Sequence, residues 1–198
     1  MPRSDLEFAN LIGSRICHDL ISPIGAINNG LELLSMSGTA SGPEMDLIGD
    51  SVGSASARIR FFRIAFGAAG EQMVGSGEIS SILRDLYLDS RASATWGISE
   101  PQRRSDVRLA FLALMCLETG MPYGGNVLVE RDGEKWVIRG TADKLIIDPD
   151  IWALLATQNP KLKLKPAHVQ FGLLPAIASD NGLQITSKAT ETEIVISF

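Results

Sequence analysis

Between residues 45 and 66, apolar or small side chains recur at Met45, Ile48, Val52, Ala55, Ile59, Phe62 and Phe66, in strict alternation of three and four. That spacing places all seven on one stripe of an α-helix, in the heptad pattern of a coiled coil. A second stripe precedes it: Leu6, Ala9, Gly13, Ile16, Leu20, Ile24, Ile27, Leu31 and Leu34. Its one repeated step of four spans Pro23, which offers no amide hydrogen to the Asp19 carbonyl and crowds it, so a bend is expected there. The first helix is expected from about Asp5 to Ser35, about 45 Å long. Ser4 is read as its cap and Glu7 as the second half of a capping box. The second helix is expected from about Glu44 to Phe66, after a turn over Ser37–Pro43. A connection this short makes the helices an antiparallel hairpin. Two helices cannot enclose two full-length seams. A second copy closes them into a four-helix bundle about a two-fold axis; the other closure is the hairpin packed only on its own C-terminal segment. The expected dimer core is Ile16, Leu20, Ile27 and Leu31 with Ile48, Val52, Ile59 and Phe62.

Residues 67–77 are rich in Gly, Ser and Ala and read as a linker, which divides the chain into a hairpin over 1–70 and a second domain over 77–198. In the second domain, Glu78 to about Asp89 is amphipathic and Val107 to Thr119 reads as a buried helix. Asn126–Arg131 and Glu134–Arg139 alternate apolar and polar around Asp132-Gly133, a strong hairpin signal. Short helices follow at Pro149–Ala156 and Val169–Asn181, and strands at Leu183–Thr186 and Glu193–Phe198. Helices mixed with antiparallel hairpins give an α+β chain whose C-terminal part is a two-layer α/β sandwich.

A net charge of −5 argues against a general nucleic-acid binder. No apolar run approaches the length of a membrane span, and Met1–Asp5 lacks a signal-peptide core, so a cytoplasmic protein is expected. Cys17 and Cys116 lie in apolar helical patterns without metal-ligand spacing and read as buried free thiols.

His18 stands off the first seam. Steps of three and four from it reach Ser22, Gly25 and Asn29, all small or polar. Opposite them the second helix is also mostly small between Gly49 and Ala57. The imidazole is thus expected on a face cleared for something large, with Arg15, Ser22, Gly25, Asn29, Gly53 and Ala57 as the candidate docking surface and Asp19 beside it. The run His18-Asp19-Leu20-Ile21-Ser22-Pro23-Ile24-Gly25-Ala26-Ile27 resembles the H-box of sensor histidine kinases, in which the histidine is phosphorylated and the following acid assists. The wider stretch Arg15–Leu34 resembles the ChpT-type histidine phosphotransferases of a bacterial cell-cycle phosphorelay.

The second segment is similar to the ATP-binding domain of histidine kinases, but its motifs are degraded. Where kinases hold Mg²⁺ with asparagines, this chain has Leu112 and Cys116, poor ligands for a hard cation. Pro122 and Gly124-Gly125 survive. No D-x-G-x-G follows Arg139-Gly140, and the glycine-rich phosphate loop is reduced to Phe171-Gly172-Leu173. One glycine does not give the close backbone approach that a phosphate cradle needs. Lys161, Lys163 and Lys165 read as a solvated charge run, and His168 as a structural histidine.

The resemblance implies a phosphotransferase in which His18 takes a phosphoryl group from the receiver domain of a CckA-type hybrid kinase and passes it to CtrA- and CpdR-type response regulators. It implies a homodimer, no ATP, no cofactor and no metal of its own, since Mg²⁺ belongs to the receiver. Two alternatives remain at this stage: an active histidine kinase with a divergent nucleotide site, and a non-catalytic scaffold that binds receivers.

Overall fold

The structure, a computed structural model, describes residues 5–37, 43–68, 70–156 and 163–198. Two long helices come first, α1 (Asp5–Ser37) and α2 (Pro43–Ala65). With only residues 38–42 between them they pack as an antiparallel hairpin. Pro23 lies inside α1 and its side chain is buried, as is Gly30. The capping residue expected at Ser4, most of the turn over Ser37–Pro43, and Lys161 lie outside the described residues.

The rest of the chain contains strand β1 (Met73–Val74), helix α3 (Ser76–Leu86), strands β2 (Ala92–Trp96) and β3 (Gln102–Arg103), and helix α4 (Arg104–Gly120). Strands β4 (Gly125–Asp132) and β5 (Lys135–Thr141), helices α5 (Pro149–Trp152) and α6 (Gln170–Asp180), and strands β6 (Thr186–Ala189) and β7 (Glu193–Ser197) complete it. Five strands form one sheet in the order β2-β4-β5-β7-β6, with β2 parallel to β4 and the other pairs antiparallel. Val127, Val129, Ile138, Ile194 and Ile196 alternate onto the buried face, against α4. On the other face Arg139 bridges Glu130 and Glu193 across three strands. The expected α+β architecture is therefore present, a helical hairpin followed by an α/β sandwich. The last expected strand before β7 falls later than the sequence reading placed it, at Thr186–Ala189, and β2 has no counterpart in that reading.

The turn from α4 into β4 needs its glycine. Gly124 has φ +102°, and a Cβ there would come within 2.3 Å of the Arg91 carbonyl oxygen, at the start of β2. That close approach seats β2 beside β4.

The lower half of the hairpin is built into the core of the second domain. Phe61, 2% exposed, stacks on Phe111 of α4 with ring centroids 4.5 Å apart and planes 7° apart. Ile64 and Ala65 are buried, and Phe8, Leu11, Ile12 and Ile16 of α1 pack on the same cluster. Arg108 donates to the Ala65 carbonyl at 3.3 Å, and Arg60 pairs with Asp85 of α3 at 2.6 Å. The upper half is bare. Ile21, Ile24, Leu31, Met36, Val52 and Ile59 are each 47% exposed or more. Among the described residues, no helix is long and apolar enough to cross a membrane.

Candidate functional site

Helix α1 presents Arg15, His18, Asp19 and Ser22 within two turns, at spacings that keep them on one side. The His18 side chain is 84% exposed. Its Nδ1 lies 3.0 Å from Asp19 Oδ1. The other oxygen of Asp19 accepts from Arg15 Nε at 2.6 Å, and Arg15 Nη1 donates to the Ala167 carbonyl at 2.8 Å. A carboxylate can only accept, so in the neutral ring this contact favours the tautomer with the hydrogen on Nδ1 and the lone pair on Nε2. The imidazole is held at Nδ1 while the side chain stays largely exposed.

His18 opens onto a cleft of about 760 Å³ between the hairpin and the second domain. One wall is α2, through Gly49, Asp50, Gly53 and Ser56. The other is the turn after α3, through Tyr87, Leu88, Asp89 and Ser90, and the base is Met115 and Glu118 of α4. A Cβ added at Gly25, Gly49 or Gly53 would meet nothing within 4 Å, so these glycines leave open space rather than close packing. Leu88 is 73% exposed at the cleft mouth. The hydrogen bond from Arg60 holds the Asp85 carboxyl below the usual carboxylate range. Arg58 folds back onto the Ser54 hydroxyl and carbonyl.

Two groups that line the cleft escaped the sequence reading. Tyr87 Oη donates to Glu118 Oε1 at 2.6 Å. Burial pushes both groups up, the Tyr87 phenol well above its ordinary value, while the Tyr87 bond and the guanidinium charges of Arg15 and Arg58 favour the ionised Glu118. The available signal was that Glu118 is the one carboxylate in the apolar run from Val107 to Thr119.

The structure distributes the expected residues as follows. Ser22 and Gly53 are exposed and line the cleft with His18; Asn29 is exposed and Gly25 partly so, further along α1. Arg15 lines the cleft too, but its guanidinium turns inward to Asp19 and Ala167. Ala57 is a correction: it is fully buried and presents nothing to a partner. Steps of four and seven carry it to Phe61 and Ile64, the face of α2 that enters the core. Cys17 is likewise exposed rather than buried, whereas Cys116 is buried as expected. Of the expected dimer core, Phe62 is already buried within one chain. Ile16, Leu20, Ile27 and Ile48 are half-buried, and Leu31, Val52 and Ile59 are about half exposed.

The degraded nucleotide motifs lie in packed core. Leu112, Cys116 and Phe171 have no exposed surface, and α4 packs directly on α6. A Cβ on Gly172 would come within 2.7 Å of Leu164 and 2.9 Å of Phe8 from the hairpin. The surviving glycine of the phosphate loop therefore admits side chains. Trp152 meets Phe171 edge-on beside it. Among the described residues, no cluster of three or more His, Cys, Asp or Glu side chains could hold a metal ion.

Residues 76–193 match the family described as the histidine phosphotransferase C-terminal domain. Over 98% of its length the chain is 34% identical to the protein phosphotransferase ChpT of Brucella abortus (strain 2308), covering 96% of that protein. A solved bacterial phosphotransferase at 1.7 Å superposes with a TM-score of 0.83 and 35% identity, over 100% of this chain and 98% of the other. The hairpin that carries His18 and the domain packed beneath it thus have counterparts from end to end, and the chain belongs to the ChpT family of histidine phosphotransferases.

Proposed function

We propose that His18 is the phosphoacceptor of a phosphorelay, and that the hairpin over residues 1–70 is the phosphotransfer and dimerisation domain. The observation that carries this reading is the imidazole itself: highly exposed, bonded at Nδ1 to Asp19, and open at Nε2 onto a cleft. Nε2 attacks the phosphorus of a phosphoaspartate on a donor receiver domain. The N–P bond forms as the acyl-phosphate O–P bond breaks, and the aspartate leaves as a carboxylate. The positive charge that develops on the ring spreads to the Nδ1–H group, where the Asp19 carboxylate meets it. Reversal onto an aspartate of an acceptor receiver completes the relay. Such transfer is chiefly in-line positioning and charge stabilisation. The receiver's own Mg²⁺ and lysine supply most of the latter, so this chain needs no metal of its own.

The partners are receiver domains. The resemblance points to a CckA-type hybrid kinase as donor and CtrA- and CpdR-type response regulators as acceptors, all in the cytoplasm. Ser22, Gly25 and Asn29 of α1 with Gly49 and Gly53 of α2 form the receiver-docking face. The bare upper hairpin pairs with a second copy as a four-helix bundle. ATP is not a substrate: Leu112 and Cys116 offer no ligand to magnesium, and the space between α4 and α6 is filled by side chains.

A receiver phosphorylated in isolation, mixed with this protein without ATP, should leave acid-labile phosphate on the wild type and none on His18→Ala. Labelling of His18→Ala at the wild-type level, or labelling of the wild type by ATP with Mg²⁺ alone, would refute the reading.

A further inference from the structure

We propose that Arg15 is a positioning residue through which the C-terminal domain fixes the imidazole of His18. The proposal rests on His18 as phosphoacceptor and gives the C-terminal domain a task in that reaction.

An arginine on a long amphipathic helix ordinarily extends into water. Here the side chain is 20% exposed and bonded at two of its nitrogens. Its Nε holds Asp19 Oδ2 at 2.6 Å, and its Nη1 holds the carbonyl of Ala167, 152 residues away, at 2.8 Å. Bonds at two nitrogens of a rigid planar fork fix the plane of the group as well as its position. The anchor is itself fixed. The Ala167 carbonyl also accepts from Gln170 Nε2 at 3.1 Å, and that amide, 1% exposed, reaches Thr119 Oγ1 at 3.0 Å and the Met115 carbonyl at 3.3 Å. A continuous chain of hydrogen bonds thus runs from the packed face of α4 through Gln170, Ala167, Arg15 and Asp19 to His18 Nδ1.

Glu118 reinforces it. A half-buried carboxylate in the last turn of α4 is disfavoured by desolvation, by the like charge of Asp19 and by the negative end of the helix. Its compensation comes from Tyr87 and from the guanidinium charges of Arg15 and Arg58 on the two hairpin helices. The charge of Glu118 thereby also favours Arg15 at its place against the second domain, beside its bond to the Ala167 carbonyl. With Arg15 fixed, Asp19 keeps one oxygen on Nδ1, and Nε2 stays the nucleophile. Without Arg15 the Asp19 carboxylate is free to turn into water and the ring to rotate or exchange tautomers.

The test uses full-length protein with ¹⁵N-labelled histidine. Long-range proton–nitrogen spectra read the His18 tautomer without any phosphotransfer, and the same spectra of His18→Ala assign the His168 signals. Rapid-quench labelling from a phosphorylated receiver reads the rate, and titration reads receiver affinity. Arg15→Gln is expected to lose the Nδ1–H preference and to slow transfer by about ten- to a hundredfold at unchanged receiver affinity. Arg15→Lys, which restores charge without the fork, should recover only part of both. Glu118→Gln, which keeps the acceptor for Tyr87, should move the tautomer in the same direction by less. Arg15→Gln with Asp19→Asn should be no slower than Asp19→Asn alone, because the effect runs through Asp19. An unchanged tautomer in both Arg15→Gln and Glu118→Gln overturns the proposal, as does weaker receiver affinity with the tautomer intact, which would make Arg15 a docking residue. If the wild type takes no phosphate on His18, the phosphoacceptor reading fails separately, and the tautomer measurement still decides the chain from Arg15.

Discussion

The seam of the hairpin divides into residues already buried and residues left bare, and the division can be tested at Ile59 and Phe62. Both belong to the same heptad stripe, yet Phe62 is 7% exposed in a single chain and Ile59 is 53% exposed. If a second copy covers the bare half, Ile59→Glu acts only on association. Covering a fully exposed isoleucine gains about 1.5–3 kcal/mol, so the half left open at Ile59 contributes about 1 kcal/mol per copy, about 2 kcal/mol per dimer. Placing two carboxylates in that interface costs at least as much again. A total near 4 kcal/mol raises the dimer Kd by about a thousandfold. Phe62→Glu instead buries an unpaired charge within the protomer and should abolish folding. Sedimentation equilibrium across a concentration series, with circular dichroism of the same samples, separates the two. Ile59→Glu should be a folded monomer where the wild type is a dimer. A dimer constant unchanged by Ile59→Glu would show that the bare stripe is not the interface. Loss of helicity in Ile59→Glu would show that it is covered within the chain.

Gly53→Gln should slow phosphotransfer by about tenfold or more through bulk on the docking face, while raising stability by up to about 0.5–1 kcal/mol, because a helix interior disfavours glycine and the added Cβ meets nothing. Quench-flow labelling and thermal melting check the pair, and transfer at the wild-type rate refutes the docking assignment. Phe61→Ala removes the ring stacked on Phe111 and should cost about 3–5 kcal/mol in urea unfolding; a loss under about 1 kcal/mol would show that the hairpin is not anchored there. Burial holds the Glu118 carboxyl above its ordinary value, so its protonated form favours the fold at low pH and that contribution is lost as pH rises through the raised value. Glu118→Gln should therefore melt higher than the wild type near pH 8, with the gap narrowing toward about pH 5. A lower melting temperature near pH 8 would contradict the sign.

What was legible in the sequence followed from period and local chemistry. The two heptad stripes gave α1 and α2 to within two residues at each end, and the alternation around Asp132-Gly133 gave the β4–β5 hairpin. What was not legible depended on distant packing. Ala92–Trp96 alternates too weakly to be read as a strand and becomes one because Gly124 seats it beside β4. Ala57 looked like part of a small-residue docking face because composition does not report which side of a helix another domain covers. Arg15 read as a docking residue for the same reason: its acceptor at Ala167 is a backbone carbonyl, which no side-chain pattern announces. Glu118 was visible only as a carboxylate out of place among buried residues.

The position of His18 along the hairpin then has a physical reason. Below it, Phe8, Ile12, Ile16, Phe61 and Ile64 are covered by the second domain, so that half of the hairpin is fixed whether or not another molecule is present. Above it, Ile21, Ile24, Leu31 and Val52 are bare. His18 sits at the boundary. One side of its helix is tied down through Arg15, while the next turn, Ser22 and Gly25, is stripped of bulk. The phosphoacceptor role proposed for His18 needs both a fixed orientation and room for a large reactant. A hairpin buried along its whole length would give only the first, and a free one only the second. A domain that covers just the lower half gives both at one residue, and it does so through core packing and hydrogen bonds within the chain.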